Sequence, residues 1–141
     1  MNPTLSELHT AIFDYLTVAL PGAHVLPPYP DLRRTIKALP AVLVELSGME
    51  PGDDPGTGEV AFIGRFSGRV IVDPNLPEAD MEAREIAIRL AVALSRQDFG
   101  LPIGIARLVD MGEDGFSPDL DGYLVWLVEW THSFNQGEAL P

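Results

Sequence analysis

At 141 residues, with 46% hydrophobic and 21% charged side chains, the chain suits one globular domain burying about two thirds of its unfolded surface. Twenty-one acidic residues against nine basic ones leave a net charge of −12, which argues against wrapping nucleic acid, because phosphate binding draws on Lys and Arg. The absence of cysteine excludes disulfides, thiolate nucleophiles and zinc–thiolate sites.

No apolar run approaches the roughly 20 residues of a membrane span. The opening Met-Asn-Pro-Thr-Leu-Ser-Glu lacks the basic start and apolar core of a signal peptide. The expected setting is therefore the inside of a cell, without membrane contact. Thr4-Leu5-Ser6-Glu7 has the form of a capping box, in which a hydroxyl and a carboxylate satisfy the first amides of a helix. Leu5, Leu8, Ile12, Leu16 and Ala19 follow at helical spacing, and Pro21-Gly22 predicts the end. From Pro21 to Pro40 the prolines predict irregular extended backbone. Arg33, Arg34 and Lys37 lie there, a third of all basic residues, and are expected to pair with carboxylates in the fold or on a neighbouring subunit.

Ala41 to Leu46 reads as the first strand, rich in β-branched and aliphatic residues. Residues 47–58 hold four glycines, two prolines and Asp53-Asp54, and predict an exposed flexible loop. Glu59 to Asp73 alternates again: Val60, Phe62, Phe66, Val70 and Val72 share one face with Gly64 and Gly68, where a helix would approach closely or the strand would bend. A second helix opens near Pro77, with Asn75 as the expected cap, and buries Ala83, Ile86, Ala87, Leu90, Ala93 and Leu94. Ile103 to Val109 predicts a third strand, and Asp110 to Asp121 a polar connection.

The last strand lies in Gly122 to Gly137. Leu124, Trp126, Val128, Trp130 and Phe134 occupy one face with His132, while Tyr123, Val125, Leu127, Glu129, Thr131 and Ser133 occupy the other. The order α-β-β-α-β-β predicts an α+β fold: a mostly antiparallel four-stranded sheet with two helices on one face. It forms one domain over 1–141, ending in a short tail at 138–141.

Little here carries chemistry. Asp110, Glu113, Asp114, Asp119 and Asp121 are oxygen donors for a hard cation, but lack EF-hand spacing, and a solvated turn is their ordinary reading. His9, His24 and His132 sit in separate elements and match no nucleophile or metal motif. His132 shares the face of Trp130 and Phe134 and is expected at the edge of the core. No enzyme, metal or cofactor is expected. The contrary reading is a small metal-dependent enzyme or a stand-alone binding domain using the 110–121 loop.

The element order and the final stretch Asp121-Gly-Tyr-Leu-Val-Trp-Leu-Val-Glu-Trp-Thr-His-Ser-Phe-Asn-Gln-Gly137 resemble the tail-terminator, or tail-completion, proteins of tailed bacteriophages, especially the Mu-like prophage type. The resemblance implies a virion structural protein of the tail or neck, assembled in the host bacterial cytoplasm. It implies a ring, commonly a hexamer, that ends tube polymerisation at the head-proximal end. The partners implied are the tail tube protein and the head-side connector, with DNA passing through the lumen without specific binding. Another head–tail joining protein is the near alternative. On this reading Arg65, Arg69, Glu45 and Glu129 meet an adjacent subunit, and Asp53 and Asp54 ride on a loop that docks on the tube.

Overall fold

Two thirteen-residue strands form the spine of the sheet. In the computed structural model, which describes residues 2–26, 38–114 and 122–137, β3 (Val60–Val72) pairs antiparallel with β5 (Leu124–Gln136) without interruption, from Val60 opposite Gln136 to Val72 opposite Leu124. Alternation of apolar and polar residues dictates this ladder, since any one-residue slip would turn the aromatic face to water. β2 (Ala41–Pro51) flanks β3, and β4 (Arg107–Glu113) flanks β5. β1 (His24–Leu26) completes a five-stranded sheet in the order β1-β2-β3-β5-β4.

Helix α1 (Leu5–Ala19) starts at Thr4, whose hydroxyl accepts the Glu7 amide at 3.1 Å and donates to the Glu7 carboxylate at 3.2 Å. Helix α2 (Ala79–Leu94) follows Glu78, a residue at φ 57° that offers no side-chain cap. Asn75 is not the cap: its own amide is held by the Asp73 carboxylate at 2.9 Å in the turn before the helix. Both helices pack on one face of the sheet, as expected. Their buried residues Leu8, Ile12, Leu16, Ala83, Ile86, Ala87 and Leu90 join Val42, Val44, Phe66, Val70, Val128 and Trp130 in a single core.

Three boundaries differ from the sequence expectation. The fifth strand, β1, falls where irregular backbone was predicted. It runs parallel to β2 through His24–Ala41, Val25–Val42 and Leu26–Leu43, so the sheet is mixed rather than four-stranded. Three residues are too few to show a period; the strand exists because Ala41 to Leu43 supply a partner backbone. Residues 47–51, expected in the loop, continue β2 beyond a bulge between Leu46 and Gly48, and 52–59 connect to β3. Pairing with Arg65, Gly64 and Ile63 outweighs the glycine and proline content, and Pro51 loses little at a strand end. The third strand is shifted to 107–113. Ile103 to Ala106 instead form an approach segment, pinned where the Gly104 amide donates to the Ser133 carbonyl at 2.6 Å.

Gly68 shows why glycine stands on the helix-facing side of β3. A Cβ there would lie 2.8 Å from Leu90 Cδ2 and 3.3 Å from the Trp130 ring, so α2 sits against bare backbone. Gly68→Val is expected to overpack this contact and cost about 1–3 kcal/mol. Trp130→Ala should cost about 3–5 kcal/mol. Urea unfolding followed by circular dichroism measures both, and a loss below 1 kcal/mol for either would contradict this packing.

Candidate functional site

The helices leave the opposite face of the sheet open, and the register sorts its side chains into rows. Near one end, Leu26, Ala41, Leu43, Ile71 and Val125 form a second, smaller apolar cluster. Beyond it the face turns polar. Glu45, Ser67, Glu129 and Asp110 stand side by side across β2, β3, β5 and β4. The next row toward the 52–59 connection is Gly48, Arg65, Thr131 and Arg107. On the other side, Arg69 lies between Leu43 and Leu127. An acidic row is thus bracketed by arginines, an arrangement that offsets the repulsion of adjacent carboxylates.

The four charged residues singled out for a subunit contact are therefore brought together, and they pair within the chain. Arg69 Nη1 contacts Glu45 Oε1, and Arg69 Nε lies 3.1 Å from Asp114 Oδ2. Its side chain is only 23% exposed, and it ties β2 and β3 to the residue that follows β4. Arg65 Nη1 lies 3.7 Å from Glu129 Oε2 with its side chain 53% exposed. That spacing and exposure leave the Arg65 guanidinium able to serve another acceptor. Beside it opens a shallow hollow of about 280 Å³ lined by Ser47, Gly48, Met49, Glu50, Ile63 and Thr131.

Sequence reasoning placed Asp114 among the acidic-loop carboxylates and missed it as the partner of Arg69. Only the register, which sets the end of β4 across from β5, reveals the pairing. The same register separates two of the candidate cation ligands: Asp110 faces the open side opposite Glu129, and Glu113 the helix side opposite Trp126. Asp119, Asp121 and the basic trio Arg33, Arg34 and Lys37 lie outside the described residues. Among the described residues, no group of three or more His, Asp or Glu side chains is gathered to hold a metal ion. Asp53 and Asp54 are exposed in the 52–59 connection, where Asp54 accepts the Gly56 amide at 2.9 Å. They are not part of the charged rows.

His132 belongs to the core rather than its edge. It is fully buried, and Trp130 Nε1 donates to its Nε2 at 3.0 Å. An Nε2 that accepts carries no proton, so Nδ1 bears it and donates to the Gly104 carbonyl at 2.9 Å. Phe66 and Phe99 meet the imidazole edge-on, and Phe66 is also edge-on to His9. Two histidines remote in sequence thus meet one phenylalanine, a juxtaposition no spacing motif signals. Burial lowers the pKa of both below the ordinary imidazole value; for His132 the Gly104 carbonyl and the Asp98 charge oppose this without reversing it. Held neutral and hydrogen-bonded to a tryptophan, His132 has no free nitrogen for proton transfer to a substrate.

No family model matches the chain, and no curated protein matches it. Solved structures do. A chain of the structure titled "Virion of native gene transfer agent (GTA) particle" superposes with a TM-score of 0.59 over 92% of this chain and 95% of that chain, at 14% identity. At that identity the likeness is one of fold, and it covers most of both chains.

Because the folded pKa of His132 and of His9 lies below the unfolded value of 6.5, the unfolded chain takes up protons first as pH falls. The stability these neutral histidines contribute is full above pH 6.5 and is lost as pH drops below it, by at most about 1.4 kcal/mol per pH unit for each. Urea denaturation at pH 7.5, 6.5 and 5.5 should show this decline, shallower in His132→Gln; equal slopes would contradict a buried, neutral His132. Arg69→Met should destabilise by about 1–2 kcal/mol, because two partly buried carboxylates lose their shared partner, whereas Arg65→Met should cost less than about 1 kcal/mol. The reverse ranking would show that Arg69 is not the clamp.

Proposed function

We propose that this chain is a structural virion protein that assembles as a ring, commonly a hexamer, on the head-proximal end of a phage tail tube. There it ends tube polymerisation and provides the joint to the head-side connector. The observation that carries this reading is the likeness of fold, over nearly the whole of both chains, to a component of a gene transfer agent virion. The element order and the closing aromatic strand, which resemble tail terminators, support this position within the virion.

The open sheet face supports the reading physically. Its Arg65 and Arg69 are engaged with carboxylates, and the chain as a whole carries −12, so a lumen built from such subunits lets DNA pass without retaining it. Arg65, Arg69, Glu45 and Glu129 serve the subunit contact in this reading, Arg69 by shaping the surface and Arg65 by reaching across it. The 52–59 connection, with Asp53 and Asp54, meets the tube. Assembly takes place in the host bacterial cytoplasm, and the finished protein resides in the tail or neck of the particle.

Disrupting the gene in its phage and imaging the lysate by electron microscopy tests this. Tubes that overrun the normal length, without attached heads, are expected. Normal-length tails lacking heads would move the protein to another head–tail joining position, and complete infectious particles would reject the virion role. A chain lacking residues 52–56 should fold with an unchanged circular dichroism spectrum yet fail to restore tail length; tails of normal length would remove that connection from the tube contact.

A further inference from the structure

We propose that the ring closes by edge-to-edge strand pairing, in which β4 of one copy adds antiparallel to the outer half of β2 of the next. This rests on the ring reading above and names its contact. Among the described residues the sheet has two open edges. β4 is one, with every residue from Arg107 to Met111 exposed. On the other side, β1 pairs with β2 from Ala41 to Leu43, and no other described strand pairs with Val44 to Pro51 on that edge. Open edges seven or eight residues long invite pairing with another chain, and proteins normally blunt them. Here both keep apolar side chains in water: Leu108 at 47%, Met111 at 36% and Met49 at 45% exposure.

Direction, face and charge select one register. β2, β3, β5 and β4 alternate in direction, so β4 is antiparallel to β2, and a copy generated by rotation presents the two edges antiparallel. Within one sheet, paired residues must share a face. By their partners on β3 and β5, Leu108, Met111, Met49 and Leu46 face the helix side, while Arg107, Asp110, Gly112, Gly48, Glu50 and Glu45 face the open side. Setting Arg107 against Glu50 of the next copy satisfies all of them. Leu108 then meets Met49, Asp110 meets Gly48, Met111 meets Leu46, and Gly112 meets Glu45. The two bulges, at Val109 in β4 and Ser47 in β2, fall on either side of the Asp110–Gly48 pair.

Charge favours the same register. Copies carrying −12 each repel, so a contact between them must place its scarce cations against carboxylates. Arg107 meets Glu50 directly. Arg65, next to Gly48 on β3, has an exposed side chain and no intervening Cβ between it and the neighbour's Asp110. The contact is heterologous, joining two different edges, which is the kind that closes a ring.

The chain has no cysteine, so introduced thiols report cleanly. Leu108→Cys and Met49→Cys proteins, mixed and oxidised, should form a disulfide-linked pair, and the double variant a ladder ending at the ring. Neither single variant should cross-link alone. Arg107→Glu should raise the concentration at half-assembly about tenfold, with Glu50→Arg in the same chain restoring it. Circular dichroism melting confirms that these exposed changes leave the fold intact. Native mass of the unaltered chain, with and without tube protein, separates the failures. Oligomers without the mixed cross-link, self-linking of either single variant, or no effect of Arg107→Glu would overturn the edge contact and leave the ring. A chain that stays monomeric throughout would overturn both.

Discussion

A tryptophan in a protein interior brings an indole N–H that is costly to leave without an acceptor, and at Trp130 the acceptor it finds ties together the centre of the fold. Trp130 is fully buried at the centre of β5, stacked 5.8 Å from Phe66 on β3. Its acceptor is His132, two residues along the same face, and His132 passes the connection on to the Gly104 carbonyl. One relay thus links the central strand to the segment that leads into β4. The cost of leaving any of these groups unpaired in a low-dielectric interior is about 1–3 kcal/mol each, enough to hold the approach to β4 in place. Leu90 of α2 closes over Gly68 beside the same indole.

The two faces of the sheet follow different rules. The helix side is packed to exclude water, so its residues are dictated by volume. The open side carries charge in ordered rows, with Arg69 clamping Glu45 and Asp114, and Arg65 more loosely set against Glu129. Internal pairing of this kind offsets part of the repulsion among the carboxylates of that face.

Much of this was readable from alternation. Trp130, Val128 and Phe134 fall on the core face because successive residues of a strand must point to opposite sides, and Glu45, Arg65, Arg69 and Glu129 share the other face for the same reason. α1 was legible in its capping box and stripe. β1 was not, because three residues carry no period and its parallel partner lies fifteen or more residues away across the chain. The shift of β4 into the acidic stretch was hidden because an edge strand tolerates polar residues that would disqualify a central one.

The sequence by itself determined which residues are buried, which face each strand presents, and that two helices cover one side of a sheet. These depend on local periodicity and on the transfer of apolar side chains from water, both written residue by residue. Tertiary structure decided strand order, register and the identity of partners. It gave Arg69 to Glu45 and Asp114, brought His9 and His132 edge-on to the same Phe66, and parted Asp110 from Glu113. Those outcomes arise from contacts between segments remote in the chain. No local pattern encodes them, because each depends on where another strand's backbone comes to lie.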